Sequence, residues 1–188
     1  MSLSTSAYLA TSLDGFIARA DGALDWLEQV ACEDEDYGYA DFMATVDVLL
    51  MGSATFRKVL SFPEWPYVGL RVVVASRSLQ PADIPAALRS QVELSAAAPP
   101  RLLADLRTSG ARHVYVDGGR LVSAFLRAGL LDRLILNRVP ALLGAGIPLF
   151  SGLDGDIRLQ HQSTRAYASG LLQSSYLINR AAEAAEQL

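Results

Sequence analysis

Three short runs constrain this chain most: VDVLLM over 46–51, RVVVA over 71–75 and HVYV over 113–116. Each is apolar and rich in β-branched residues, and such runs of four to six residues read as strands buried inside a sheet. Helix-like stretches lie between them. Residues 35–44 place Tyr39, Phe42 and Met43 on one inward face, residues 53–60 end at the proline-rich FPEWPY, residues 99–108 open on proline, and residues 120–128 stop at Gly129. A short helix is expected over 83–89 and a brief strand over 92–94, while 21–34 reads as a loop around Trp26. Strand character recurs at 5–10, 134–139, 160–168 and 171–178, the last three without helices between them. Strands alternating with helices, then strands alone, predict an α/β fold with a mostly parallel central sheet and antiparallel C-terminal edge strands. Residues 1–188 are expected to form one domain, with the alanine-rich tail after about residue 180 fraying.

Composition narrows the partners. Apolar residues make up 51% of the chain, yet no run approaches the roughly 18 residues that cross a bilayer, so no membrane partner is expected. The opening MSLSTSAYLATSLDG lacks the basic and long apolar regions of a signal peptide, and Cys32 is the single cysteine; a cytoplasmic protein without disulfides is expected. The net charge is −4 and the basic residues are scattered, which argues against a nucleic-acid partner. His113, His161 and Cys32 are isolated, so no metal is expected.

In sheets of this kind, ligands bind where strands end at their carboxyl edge and the next helix begins. Three stretches meet that condition: Gly52-Ser53-Ala54-Thr55, Ser76-Arg77-Ser78 and Asp117-Gly118-Gly119. Glycines at a strand-to-helix junction let backbone approach a ligand, and the free amides of the helix start then face an anion. Gly118 and Gly119 suit a pyrophosphate, Gly52 with Thr55 adds a second helix start and a hydroxyl, and Ser76 with Arg77 suits a phosphate monoester. Together they describe NADPH. Neither the G-x-G-x-x-G fingerprint nor the G-x-x-x-x-G-K-[ST] loop is present, so a conventional dinucleotide or nucleoside-triphosphate fold is excluded.

Five phrases occur in an order that resembles the dihydrofolate reductase fold, and more closely the C-terminal reductase domain of the bacterial riboflavin-biosynthesis deaminase/reductase. They are SLDGFIA (12–18), MGSATF (51–56), VVASRS (73–78), VYVDGGRLVSAFLRAGLLDRLIL (114–136) and VPALLGAGIPLF (139–150). The resemblance implies a three-layer fold and an NADPH-dependent oxidoreductase that transfers hydride to a carbonyl, imine or pterin-like small molecule, as 5-amino-6-(5-phosphoribosylamino)uracil reductase does. It places Ala10 and Ile17 beside the nicotinamide, and Gly52, Ser53 and Thr55 by the phosphates. Ser76 and Arg77 fall at the 2′-phosphate, and Gly118, Gly119, Arg120 and Leu121 under the pyrophosphate. In this reading the first glycine of the pair admits the cofactor and the second opens the helix. The resemblance also implies a homodimer through the last strands, to which the GAGIPLF segment with Gly144, Gly146 and Pro148 contributes.

Hydride transfer needs a proton at the neighbouring heteroatom. Asp117 is the first candidate for donor or substrate anchor and Asp14 the second, with a plain Asp-Gly turn as the alternative for Asp14. Trp26 and Tyr39 are candidate walls of the substrate pocket, a core tryptophan being the alternative for Trp26. Two features depart from the resembled enzymes. The helix carboxylate of dihydrofolate reductase falls near Gly38, with Asp36 a small register shift away, and nothing from 21 to 56 is basic where riboflavin reductases bind a ribosyl phosphate. Alternatives are therefore a dihydrofolate or pterin reductase, and an NADPH-binding regulatory protein without catalysis.

Overall fold

The computed structural model describes residues 3–178, so the tail expected to fray lies outside the described residues. In chain order the elements are β1 (Ser4–Thr11), β2 (Phe16–Ala18), a 3-10 helix (Asp25–Val30), α1 (Tyr39–Met43), β3 (Val48–Gly52), α2 (Ser53–Leu60), β4 (Arg71–Ala75), β5 (Val92–Ser95), α3 (Pro99–Thr108), β6 (His113–Asp117), α4 (Gly119–Arg127), β7 (Arg133–Arg138), β8 (Ile147–Pro148), β9 (Leu159–Ala166) and β10 (Leu172–Ile178). Eight strands form one sheet in the order β5-β4-β3-β6-β1-β7-β10-β9. The first six in that order run parallel, and β10 and β9 add antiparallel at the far edge.

The apolar strands are buried because both faces of the sheet are covered. On one face α3 contributes Leu102, Leu103 and Leu106 and α4 contributes Val122, Phe125 and Leu126, spacings that put each set on one side of a helix. They pack on Leu50, Val73, Val114 and Val116. On the other face Phe42 of α1 and Phe56 of α2 pack on Leu49, Met51, Val72, Val74 and Tyr115. Neighbours in sequence thus enter opposite layers, the alternation expected of a strand.

The chain departs from the expected elements in four places. The helix expected over 35–44 is only Tyr39–Met43, because Tyr37 (φ 61°) and Gly38 (φ 81°) are left-handed and a helix cannot pass through them. The Asp36 carboxylate instead accepts the amides of Gly38 (2.9 Å) and Ala40 (2.8 Å). The helix expected over 83–89 is two 3-10 turns, Pro81–Asp83 and Ala86–Leu88, since Pro85 holds Ile84 extended. Inside the expected loop 21–34, the 3-10 helix buries Trp26 and Val30. Strands β2 and β8 pair as a separate small sheet and are too short for any periodicity to reveal. No helix among the described residues is long and apolar enough to cross a membrane.

Candidate active site

Register brings the three glycine and serine junctions to one edge. Gly52 pairs with Ala75, the residue before Ser76, and Met51 pairs with Asp117, the residue before Gly118. The carboxyl ends of β4, β3 and β6 therefore lie side by side, with Ser76-Arg77, Gly52-Ser53 and Gly118-Gly119 in a row. Next to them the sheet opens. Pairing of β1 with β6 stops at Ser6–Tyr115, whereas β1 continues along β7 as far as Thr11–Arg138. Between Ala10 of β1 and Asp117 of β6 the two strands are no longer joined. This is where the strand order reverses, the position at which open α/β sheets hold ligands.

Both helices that start at this edge are prepared for an anion. Neither α2 nor α4 has an acidic residue in its first turn or a side chain capping its first amides. Those amides have no partner within the helix and carry the positive end of its dipole. The glycine pair is required first by the protein's own packing. Gly118 has φ 96°, and a Cβ there would stand 2.4 Å from the Thr55 hydroxyl oxygen, so the start of α4 touches the first turn of α2. A Cβ on Gly119 would meet the Leu149 carbonyl at 2.9 Å and the Ile17 side chain at 3.0 Å. The expectation that the first glycine admits a cofactor is corrected to this extent: the space it spares is occupied by Thr55, and the pair draws two helix starts, Ile17 and the 148–149 backbone together around the edge.

Asp117 ends β6 beside this row. Its carboxylate accepts the amide of Gly118 at 2.8 Å, and among the described residues it forms no ion pair. Burial pushes its pKa up to about 6, with the Gly118 amide and the Tyr115 phenol pulling the other way. Four tyrosines gather on its side of the sheet. Tyr115 precedes it by two residues and shares its face; its hydroxyl donates to the Tyr8 carbonyl at 2.8 Å. The ring of Tyr8 lies 5.4 Å from Tyr39 and 5.1 Å from Phe42, and Phe42 lies 5.0 Å from Tyr115. Burial first, and the Asp117 charge second, raise the pKa of Tyr39, to about 12, and of Tyr67, while the two phenols share a hydrogen bond. The phenols therefore stay protonated and offer hydroxyls to a ligand. Tyr8, Tyr67 and Tyr115 escaped the sequence reading. For Tyr115 the two-residue spacing from Asp117 was an available signal; Tyr67 sits in a segment whose prolines drew notice only as a helix stop.

The other expected residues divide. Ile17 touches Gly119, and Ala10 packs against the cluster of Trp26, Val30, Val139 and Leu171 at the end of β1. Ser53 opens α2, Arg120 is exposed in the first turn of α4, and Leu121 is half-buried against the α3/α4 layer. The Ser76 hydroxyl accepts the amides of Ser78 and Leu79 at 3.2 and 3.1 Å, closing a turn that leaves Arg77 exposed and, among the described residues, without a partner. Asp14 is corrected. Its carboxylate accepts from the Ser12 hydroxyl (2.6 Å) and the amides of Leu143 (3.1 Å) and Gly144 (2.8 Å), which lower its pKa. It tethers the β1–β2 turn to the 143–144 segment and holds no proton to give at neutral pH. Trp26 is corrected toward its alternative, since only 1% of it is exposed and it packs as a core residue. Tyr39 does border open space, a groove of about 400 Å³ shared with Ala40, Met43, Pro66, Tyr67 and Leu70. A larger hollow of about 570 Å³ lies along the outer strand β5 by Ile84, Arg89 and Val92, two strands from β3 and away from Asp117.

The comparisons with known proteins point one way. The model of the RibD C-terminal domain matches residues 6–173. The uncharacterised YwjB protein of Bacillus subtilis is 33% identical over 174 residues, covering 91% of this chain and 96% of that one. The riboflavin biosynthesis protein RibD of Corynebacterium ammoniagenes is 31% identical over 152 residues, or 76% of this chain, which spans 44% of that longer protein. The crystal structure of a candidate riboflavin biosynthesis protein from Shewanella sp. PV-4 superposes with a TM-score of 0.89 at 34% identity, over 95% of this chain and 100% of that one. With the mostly parallel sheet, the antiparallel C-terminal edge and the family match in agreement, the chain belongs to the RibD C-terminal domain family.

Proposed function

We propose that this protein is an NADPH-dependent reductase that delivers hydride to a carbonyl or imine carbon of a small heterocyclic substrate. One observation carries the reading: two uncapped helix starts meet at Gly118 and Thr55 directly beside a carboxyl whose pKa is raised to about 6. The residues fit the cofactor. The first-turn amides of α2 and α4 suit a pyrophosphate, the free guanidinium of Arg77 suits a 2′-phosphate, and the opening between Ala10 and Asp117, flanked by Ile17, suits a flat ring. When bound, the nicotinamide supplies the hydride. Asp117 holds a proton within the pH range of the reaction and delivers it to the heteroatom next to the reduced carbon. Tyr39 and Tyr67 orient the substrate through hydroxyls that burial keeps protonated.

Fluorescence titration with NADPH and NADH, followed by cofactor oxidation against a panel of pterins, ribosylaminopyrimidines and small carbonyls, tests this. Turnover with NADPH is expected; tight binding without turnover on every substrate would favour a regulatory protein. Arg77→Ala is expected to weaken NADPH about tenfold or more and NADH by less than twofold, because only the former carries the phosphate. Equal losses would remove Arg77 from the site.

A homodimer through the last strands is part of the proposal. All eight residues of β9 are exposed although it pairs with β10, and Leu142, Ile147, Phe150, Leu159 and Leu177 form the larger part of the exposed bulky apolar residues. Sedimentation is expected to show a dimer that Leu177→Arg shifts to monomer.

A further inference from the structure

We infer that the compound accepted beside Asp117 is an uncharged or cationic planar heterocycle that carries no phosphate. The inference deepens the reductase reading and rests on it. Its basis is the distribution of charge around the opening between β1 and β6. Asp117 itself has no cationic partner among the described residues. The groove bounded by Tyr39 and Tyr67, the two phenols that feel the Asp117 charge, is lined by no charged side chain.

Among the described residues, the cations that flank this face are engaged or turned away, and Arg57 and Lys58 lie in the last turn of α2, at the end opposite its start on this edge. Arg19 binds Asp25 through two nitrogens at 2.7 and 2.9 Å. Arg165 lies 4.4 Å over the Tyr167 ring and 3.8 Å from Glu35. Arg112 lies 3.9 Å from Asp47, at the amino ends of the strands. Arg138 follows Leu134 and Leu136 in strand alternation and so faces the α3/α4 layer, whereas Asn137 points to the Asp117 side and accepts from Gln173 at 2.8 Å. The unpaired Arg77 stands past the end of β4, two strands from β6, and Arg120 lies in the first turn of α4, both on the proposed cofactor side. Anions accumulate instead. Asp36 holds the turn before α1 and, with Asp117, supplies the negative field felt by Tyr8 and Tyr39.

A phosphate dianion entering here would lose its water, gain no guanidinium and meet the Asp117 carboxylate. A flat nitrogen heterocycle meets the opposite conditions. Its N–H groups are donors for Asp117, its carbonyl or ring nitrogens accept from the phenols, and its faces lie against aromatic rings.

The test uses the full chain saturated with NADPH and one matched pair of probes, 5-amino-6-(ribosylamino)uracil with and without its 5′-phosphate, in calorimetric titrations. The phosphate-free probe is expected to bind at least tenfold more tightly. In Asp117→Asn the difference should shrink to about threefold or less, and in Ala40→Lys, on the exposed side of the groove, the phosphorylated probe should gain affinity. Equal or tighter binding of the phosphorylated probe to the unmodified protein overturns the inference, as does failure of the phosphate-free probe to bind. Titration of NADPH alone keeps the two readings apart. If NADPH fails to bind, the reductase reading falls; if it binds and the phosphorylated probe is preferred, only the substrate class falls.

Discussion

Asp117→Asn is expected to lower kcat about 10²- to 10³-fold, within the span usually lost with a general acid, and at the same time to make the protein more stable at neutral pH. Both effects follow from the burial that lifts the carboxyl from 3.8 to about 6. In the native protein the rate should fall with rising pH above about 6, as the protonated donor of the proposed reaction disappears, and the Asn variant should lose that dependence. The sign for stability runs in the same direction. The folded protein binds this proton more tightly than the unfolded chain does, so between about pH 4 and 6 stability declines as pH rises. Above that window the ionised carboxylate costs at most about 3 kcal/mol, less whatever crevice water recovers, and asparagine removes the cost. Below pH 4 the two proteins should melt alike. Rate profiles and thermal melts at pH 5 and pH 8 check the pair of effects. A variant that loses activity and stability together at both pH values would make Asp117 a structural residue rather than a proton donor.

The same contrast explains which parts of this molecule its residues announce in advance. Strands β3, β4 and β6 are visible as VLLM, VVVA and VYV because two covered faces demand apolar side chains at consecutive positions. The glycine pair at the exit of β6 is visible because only a backbone without Cβ tolerates the approach of Thr55 or of the Leu149 carbonyl. What stays hidden depends on contacts between distant segments. Tyr37 adopts a left-handed conformation that its side chain disfavours, held by Tyr8 and Gln173, which donate to its carbonyl at 2.9 and 2.7 Å. Nothing near residue 37 in the chain reveals those partners, so the expected helix starts four residues too early, at 35 instead of Tyr39. Asp14 illustrates the reverse error. An acid before glycine next to a resembled site reads as chemistry, yet its lone pairs are taken by amides 129 and 130 residues away. The tyrosines around Asp117 come from β1, α1, β6 and the segment before β4, and only the sheet order makes them neighbours.

Gly118→Ala is expected to cost about 1–3 kcal/mol from its backbone alone, since φ 96° is a conformation that side chains other than glycine's rarely adopt. The added methyl also stands 2.4 Å from the Thr55 hydroxyl, and relieving that overlap adds a further 1–3 kcal/mol, roughly, by prising α4 from α2. Separating the two helix starts should weaken NADPH about tenfold or more, because their amides no longer converge on one anion. A second substitution separates the two costs. In Thr55→Ala the nearest remaining atom is the residue-55 Cβ at 3.6 Å, an ordinary contact, so Gly118→Ala in that background should lose only the backbone part. Denaturant melts of the four proteins in the cycle measure the coupling, and additive losses would show that Thr55 and Gly118 do not bear on each other. Gly119→Ala should admit no such rescue. Its methyl meets the Leu149 carbonyl at 2.9 Å and the Pro148 carbonyl at 3.3 Å, and backbone cannot be trimmed as a threonine can. The first glycine thus answers to a side chain on α2 and the second to the main chain between β8 and β9, which is why the strand exit carries two.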